Sequence, residues 1–354
     1  MHIPDGFVDV PTAVATGAVS LGVVAYSVRR TSKDLGERTI PLLGVTAAFI
    51  FAAQMLNFPV AGGTSGHFLG AMLAVALLGP WAASIVLSVV LVVQALGMAD
   101  GGITAMGANV FNMGVVAVFV GFGLFYLLKK LLPRTLTGYL ISLALASWVS
   151  VVLASTAASL ELAVSGTVPV GVALPAMVSV HMIIGLGEAL ITTAVVTAVL
   201  AARPDLVNSF DLPIEAARRT AARPGVPATG RTRFWSFVVG ALVVAIALAV
   251  FISPYASGSP DGLERVAADK GFETAAAQQP VWRFSPLGDY QMPGVGGERI
   301  ATAVAGLIGT VALFALVLLL GRAFGRRRLV SAPQAAGGRS ELPPGRSPDR
   351  SSTL

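Results

Sequence analysis

The sequence predicts an all-α integral membrane protein. Of its 354 residues, 55% are hydrophobic and only 12% are charged. The apolar residues fall into runs of about 20, the length that a helix needs to cross the bilayer core. Lipid offers backbone groups no hydrogen-bond partners, so such runs fold as helices even where they contain Gly and Pro. Soluble domains do not combine these features.

We predict nine membrane spans from these runs. Their approximate limits are Pro11 to Val28, Ile40 to Leu56, His67 to Leu78, Trp81 to Leu96, Thr104 to Leu128, Gly138 to Leu160, Gly171 to Leu200, Phe234 to Ile252 and Ile300 to Leu320. The third span is short for a full crossing and is followed by Gly79 and Pro80. The third and fourth spans could therefore also form a tight hairpin or a partly re-entrant pair.

The distribution of positive charge predicts the topology. The net charge of +6 does not indicate a nucleic-acid partner here, because in a membrane protein it first reports which loops are cytoplasmic. With the N-terminus outside, the predicted cytoplasmic segments hold 20 of the 24 Lys and Arg residues. These segments are Arg29 to Arg38, Lys129 to Arg134, Arg203 to Arg233 and the chain from Arg322 onward. We therefore expect an outer N-terminus, a cytoplasmic C-terminus and one long outer loop over residues 255–298.

Composition divides the chain into two units. Residues 1–202 form a predicted seven-span body, and residues 234–330 form a predicted two-span C-terminal unit. The basic, Pro-containing stretch 203–233 is typical of a cytoplasmic linker. The tail 331–354 is rich in Pro, Gly, Ser and Arg, and we expect it to be disordered. The start of the chain lacks a positive n-region, so we expect no cleavable signal peptide and a retained Met1.

Metal chemistry in this chain would use nitrogen and oxygen ligands, because the sequence contains no Cys. Its three His residues are His2, His67 and His181, and the predicted topology places all three toward the outer side. Other interpretations remain for each of them. His67 could be a hydrogen-bonded residue near a helix start, and His2 could lie in a disordered terminus.

The first two residues together offer an unusual chelate. The amine of Met1, the amide nitrogen of His2 and a ring nitrogen of His2 can bind one ion, and a single further imidazole completes a planar set of four nitrogens. Such a set suits Ni(II) or Cu(II), whereas Zn(II) prefers a tetrahedron. His67 is the natural fourth ligand. Because the amide must lose its proton, affinity should rise with pH.

Several motifs in the chain resemble a known family. They are Met1-His2-Ile3-Pro4-Asp5-Gly6-Phe7, Gly63-Thr64-Ser65-Gly66-His67-Phe68-Leu69-Gly70, Gln94-Ala95-Leu96 with Asp100 through Asn109, and His181 with Gly187 through Thr192. Together they closely resemble the CbiM/NikM family of cobalt and nickel transport components, over roughly residues 1–202. Beyond the linker, Pro260-Asp261-Gly262-Leu263-Glu264 resembles the PDGLE motif of the small CbiN/NikN partner, here fused to the same chain.

The resemblance implies a specific metal site. In the family fold a seven-helix body receives the returning N-terminal segment, so that Met1, His2 and His67 coordinate one ion near the outer face. For His181 we favour a role beside the site over direct ligation.

The resemblance also draws attention to polar residues inside the spans. Asn109, Asn112 and Gln94 could hold the N-terminal segment by hydrogen bonds, or could be polar residues of helix packing. Glu188 is a carboxylate inside a span, which indicates either structural pairing or a functional role. Asp5, between Pro4 and Gly6, is expected to form a local turn.

The function that the resemblance implies is capture of a transition metal for import. The chain would be the substrate-specific (S) component of an energy-coupling-factor transporter for Ni(II) or Co(II) in the bacterial cytoplasmic membrane. Its partners would be a transmembrane (T) component, ATPase (A) subunits and membrane lipids, without nucleic acid. The sequence carries no phosphate-binding loop for ATP, and the ion would be cargo, with no prosthetic group.

Two alternative functions are a membrane metalloenzyme and a stand-alone metal channel or sensor. A membrane metalloenzyme would need a His-Glu-x-x-His helix or an equivalent site, and the sequence has no such motif, so we predict that the chain is not an enzyme. A stand-alone metal channel or sensor remains open from one chain. The choice between nickel and cobalt also stays open, although planar nitrogen ligands and the fused unit favour nickel.

Overall fold

The protein is a bundle of long apolar helices. The computed structural model describes residues 2–33, 36, 38–210, 230–277 and 281–330. In these residues the secondary structure is helical apart from one short antiparallel hairpin. The prediction of an all-α membrane protein is confirmed. Met1, the central part of the linker (residues 211–229) and the tail 331–354 lie outside the described residues, and the predicted domain boundaries stay predictions.

The helices follow the predicted spans in order. They are α1 (Val10–Thr31), α2 (Thr39–Gln54), α3 (Ala71–Leu78), α4 (Pro80–Met98), α5 (Met106–Leu131), α6 (Leu136–Val164), α7 (Val170–Ala202), α8 (Gly230–Tyr255), the short α9 (Gly262–Lys270) and α10 (Glu298–Val330). Strands β1 (Phe58–Val60) and β2 (Thr64–Gly66) pair between α2 and α3. Helices α4, α5 and α8 contain stretches with wider, π-type turns.

Seven of the described helices are long and apolar enough to cross a membrane. Their outer surfaces are apolar, as lipid contact requires: Leu21 is 72% exposed and Leu190 is 71% exposed. Helix α2, with 16 residues, is shorter. Helix α3 has only eight residues, or roughly 12 Å of rise, against a bilayer core of about 30 Å.

The third span is thus short, as the sequence indicated, and its helix covers only residues 71–78 of the predicted range 67–78. Residues 67–70 are not helical, and α3 continues toward the end of the bundle where Gly79 lies against Asn208. The chain still passes from one end to the other, but half of that pass is not helical. This is tolerated because the segment is enclosed by protein: every residue from Ala71 to Ala76 is at most 1% exposed.

Local chemistry sets the ends of the helices. The side chain of Asp9 accepts from the backbone N–H of Thr12 at 3.0 Å and caps α1, and Thr135 caps α6 in the same way. Helix α1 ends with Arg29 and Arg30, where positive charge favours the helix dipole. Gly79 has a φ of +80°, which permits the sharp turn from α3 into α4.

The C-terminal helices α8 and α10 pack on the body through α2. Small residues allow this close approach: a Cβ added at Gly309 would lie 2.4 Å from the ring of Phe51, and one added at Gly44 would lie 3.1 Å from Phe314. The C-terminal unit is therefore part of the bundle, and its loop between α8 and α10 can reach the end of the body that carries His2 and His67.

Candidate metal centre

The N-terminal segment is threaded into the body and fixed there by backbone hydrogen bonds. The N–H of Ile3 donates to the side-chain oxygen of Asn109 at 2.8 Å, and the amide of Asn109 donates back to the Ile3 carbonyl at 3.0 Å. The N–H of Gly102 also donates to Ile3 at 2.9 Å. Ile3 is fully buried. His2 is therefore placed by its neighbour, with little freedom left to its backbone.

Asp5 strengthens this arrangement beyond the local turn that the sequence suggested. One carboxylate oxygen accepts from the N–H and the hydroxyl of Thr104, at 2.8 and 2.7 Å. The other accepts from the N–H of Val281 at 3.0 Å, and the Asp5 carbonyl accepts from Ala277 at 2.7 Å. One buried side chain thus ties the N-terminal segment both to the body and to the C-terminal loop.

The imidazoles of His2 and His67 lie side by side. Their ring centroids are 5.1 Å apart and the rings are inclined by 22°. His67 follows directly after β2, and its Nδ1 is 3.2 Å from the carbonyl of Phe68. A carbonyl oxygen only accepts, so this bond requires Nδ1 to carry the proton, which leaves the lone pair on Nε2. That tautomer can bind a metal through Nε2.

The environment keeps both rings neutral. Burial lowers the pKa of His67 well below its usual range, and burial also lowers the pKa of His2, an effect that Asp100 partly offsets. The Nδ1 atom of His2 lies 3.1 Å from Asp100, whereas Nε2 is buried without a hydrogen-bond partner. Neutral imidazoles are the form that binds transition metals.

The PDGLE motif of the C-terminal unit lies directly above these histidines. Asp261 forms a capping box at the start of α9: its Oδ1 accepts from Leu263 and Glu264, and Glu264 accepts from the Asp261 N–H. The other carboxylate oxygen of Asp261 is 4.0 Å from Nε2 of His67. The Pro260 carbonyl accepts from the N–H of Ser65 at 2.9 Å, which joins the motif to β2.

Close packing around Gly262 explains why the PDGLE motif has a glycine at this position. A Cβ at this position would lie 2.8 Å from the His181 ring, closer than real Cβ contacts allow. The Nδ1 atom of His181 donates to the Met177 carbonyl at 2.7 Å, so the ring cannot easily move aside. His181 therefore lies beneath α9, outside the residues that line the cavity around His2 and His67.

Glu188 supports the segment that carries His67. Its two carboxylate oxygens accept from the N–H groups of Leu69 and Gly70, at 2.6 and 2.8 Å. These N–H groups belong to the non-helical half of the third pass and lie within the bundle, where they need a partner. Of the two interpretations of Glu188 from the sequence, structural pairing is the one that the contacts describe.

Asn112 and Gln94 bind other side chains of the bundle, as in the second of the two alternatives that the sequence offered. The amide of Asn112 donates to Glu161 of α6 at 2.7 Å, so it acts in helix packing. The amide of Gln94 donates to the hydroxyl of Tyr290 at 3.1 Å. The side chain of Gln94 also interacts with His2, whereas Asn109 binds the backbone of the N-terminal segment directly.

Sequence reasoning missed a second contact from the C-terminal loop. Tyr290 donates to Asp100 at 2.6 Å, and Asp100 in turn contacts His2. Burial raises the pKa of the Tyr290 hydroxyl well above its usual value, so it remains a donor. Ala99, Asp289 and Tyr290 all have φ near +55°, a strained conformation for residues other than glycine. The only advance signal was the unusual acidity of this loop.

A cavity of about 590 Å³ opens beside the two histidines, between the body and the C-terminal loop. Five carboxylates line it: Asp100, Asp261, Glu264, Glu273 and Asp289. Burial, and then the charge of Asp261, raise the pKa of Glu264. The described residues contain no group of three or more His, Asp or Glu side chains arranged to hold a metal, and Met1 lies outside them. The arrangement therefore offers an acidic approach to a pair of neutral imidazoles.

Comparison with known proteins identifies the family. The family model described as the cobalt uptake substrate-specific transmembrane region, CbiM, matches residues 2–206, more than half of the chain. The chain belongs to the CbiM family. A PDGLE domain matches residues 235–326, so the CbiM chain also carries the fused C-terminal unit that its sequence predicted.

Relatives of this CbiM chain include proteins with the same two units. It is 37% identical to a putative fused nickel transport protein NikMN of Archaeoglobus fulgidus, over 91% of this chain and 98% of that protein. It is 32% identical to a fused nickel transport protein NikMN of Rhodobacter capsulatus, over 89% and 95%.

A crystal structure of a truncated transition metal transporter is also similar. It is 36% identical, with a TM-score of 0.52, and the match covers 56% of this chain and 98% of that one. The CbiM chain is thus a multi-pass member of a nickel and cobalt transport family. The relatives are named as transport proteins, in agreement with the prediction that the chain is not an enzyme.

Proposed function

We propose that the chain is the substrate-capture component of an energy-coupling-factor transporter that imports Ni(II), with Met1, His2 and His67 as ligands. The observation that carries this proposal is the stacking of the His2 and His67 rings, whose centroids are 5.1 Å apart. His2 lies on the N-terminal segment, which Asn109 and Asp5 fix to the body. Burial holds both rings neutral, and the tautomer of His67 has its lone pair on Nε2.

The chelate makes a specific demand on His2. A ring that includes the His2 amide nitrogen closes with six members through Nδ1, so Nδ1 must be the ligand. This atom now contacts Asp100 at 3.1 Å. Capture of the ion therefore exchanges the contact with Asp100 for a bond to the metal, while Asn109 keeps the backbone of the segment in place.

Charge balance supports a divalent ion at this position. Ni(II) bound to one deprotonated amide leaves a single positive charge, and a buried charge requires a partner. Asp100 lies next to His2 and Asp261 lies 4.0 Å from Nε2 of His67. The three further carboxylates of the cavity raise the local concentration of cations at its mouth.

Nickel is favoured over cobalt on two grounds. Four nitrogens in a plane suit the d8 ion Ni(II), whereas oxygen-rich or tetrahedral sites suit other divalent metal ions. The two NikMN relatives described above, which cover 91% and 89% of this chain and include both units, are named nickel transport proteins.

The remaining parts of the proposal concern the assembly. The bacterial cytoplasmic membrane, the outer N-terminus and the cytoplasmic C-terminus rest on the partition of positive residues. Coupling to T and A partners is supported by the family description, which names a substrate-specific region. Such a region captures the ion, and the partners supply the energy.

Two measurements test the proposal. In purified protein, His67→Ala should abolish high-affinity Ni(II) binding because one coordination position is lost, and His181→Ala, its matched control, should weaken binding less. Stronger damage from His181→Ala would reverse the assignment. In cells, removal of the ATPase partner should abolish uptake while binding by the purified chain persists. Uptake that continues without the ATPase would indicate a channel.

A further inference from the structure

A basic cavity lies at the end of the bundle opposite the histidines, where α2, α8 and α10 meet. Its volume is about 380 Å³. Residues from all three helices line it, among them Arg38, Ile40, Arg231, Trp235, Leu318 and Arg322. Three guanidinium groups thus converge from the body and from both helices of the C-terminal unit.

The positive charge in this cavity is not balanced by the described residues. Arg38, Arg231 and Arg322 form no ion pair with a described carboxylate. Arg203 differs: it binds both oxygens of Asp205, at 2.7 and 2.6 Å. The cavity therefore offers donors for an anion, and the described part of the chain supplies no carboxylate to them.

Two of these arginines occupy positions that a helix dipole disfavours. Arg38 directly precedes the first residue of α2, and Arg231 is the second residue of α8. Neither helix has an acidic residue in its first turn. The N-terminus of a helix carries partial positive charge, which repels a cation and attracts an anion. A bound anion would compensate the arginines and both helix ends together.

The walls of the cavity indicate which anion fits. Ile40 and Leu318 form apolar walls that continue into the spans, and Trp235 is 40% exposed at the same level. Trp is typical of the boundary between headgroups and acyl chains. A free phosphate would use the arginines but not these walls, whereas a phospholipid uses both.

We propose that the cavity lined by Arg38, Arg231 and Arg322 binds the phosphate headgroup of an anionic phospholipid, which ties the C-terminal helices to α2. The lipid would stabilise the contact between the two units at the end away from the metal centre. This proposal does not depend on the identity of the transported ion.

The test compares lipid retention by the full chain and two variants. Protein is extracted from membranes and exchanged into nanodiscs of phosphatidylglycerol or phosphatidylcholine, and retained lipid is counted by native mass spectrometry. The first variant is Arg38→Gln with Arg231→Gln and Arg322→Gln. The matched control is Arg29→Gln with Arg134→Gln, two exposed arginines at the same end but outside the cavity.

The expected result is tight retention of phosphatidylglycerol by the wild type and the control, and a loss of roughly tenfold in the cavity variant. Inorganic phosphate should not release the lipid. Equal retention by the cavity variant and the control would overturn the proposal, as would equal retention of phosphatidylcholine or release by inorganic phosphate. If the triple variant does not fold, Arg231→Gln alone should show a smaller loss, and no loss would also overturn the proposal.

Discussion

Glu188→Gln tests how the metal centre depends on the non-helical half of the third pass. In the structure, Glu188 accepts one hydrogen bond at each oxygen, from Leu69 at 2.6 Å and from Gly70 at 2.8 Å. Glutamine keeps one oxygen but places an NH₂ donor against the other N–H. One bond becomes neutral and weaker, and one buried N–H loses its acceptor.

The expected loss of free energy follows from these two changes in hydrogen bonding. A hydrogen bond to a charged group contributes about 1.5–3 kcal/mol, and a buried donor without a partner costs about 1–3 kcal/mol. A total of roughly 2–4 kcal/mol corresponds to about 30- to 1000-fold in an equilibrium constant, as an upper limit. Because the segment can relax, we expect nickel affinity to fall at least tenfold.

The assay is equilibrium Ni(II) binding by purified protein, with Glu161→Gln as the matched control. Glu161 is also a buried glutamate of a span, but it accepts from Asn112 at 2.7 Å, away from the His67 segment. Glutamine retains an oxygen for that bond, so affinity should change little. If Glu188→Gln bound nickel as tightly as the wild type, or if both variants lost affinity equally, the Glu188 contacts would not support the metal centre.

Three further predictions concern topology, the PDGLE contact and pH. Single cysteines at Ser209 and Ala276 should differ in labelling by an impermeant thiol reagent in intact cells. Ala276→Cys should be labelled and Ser209→Cys should not, and the opposite pattern would overturn the predicted orientation. Gly262→Ala should lower nickel affinity by roughly tenfold, because its Cβ would lie 2.8 Å from the His181 ring. Gly258→Ala has open space around its Cβ and should leave the affinity unchanged. Equal nickel affinities of the two variants in a titration would contradict this prediction. Nickel affinity should rise between about pH 6 and 8, because the amide of His2 must lose its proton to bind the metal. The buried imidazoles of His2 and His67 are already neutral in this range and do not cause the rise. An affinity that does not change with pH would exclude amide ligation.

Most of the helices could be predicted from the sequence, because a helix that crosses the bilayer core needs about 20 apolar residues. That rule left the third span open, because hydropathy alone could not show that residues 67–70 are not helical. The deciding group, Glu188, lies more than 100 residues away along the chain. The sequence showed that this carboxylate was unusual, but no local pattern could pair it with Leu69 and Gly70.

The candidate site was predictable only in part, for a similar reason. The chelating capacity of Met1 and His2 is a property of two adjacent residues and can be derived without coordinates. Asp261 and Tyr290 come from a loop far along the chain, and their approach to His67 and Asp100 depends on how the C-terminal unit packs. Polar side chains in spans, such as Asn112, have several possible partners, and only packing selects one.

Metal uptake by cells with altered termini shows whether Met1 is a metal ligand, as we propose. An uncleaved tag fused at Met1 removes the free amine, so uptake should be lost at matched membrane levels, while a C-terminal tag should leave it intact. A residue inserted between Met1 and His2 adds an amide that can complete the planar set without His67, so nickel binding should persist without dependence on His67 and transport should fail. Full uptake by the N-tagged form would show that the Met1 amine is not a ligand.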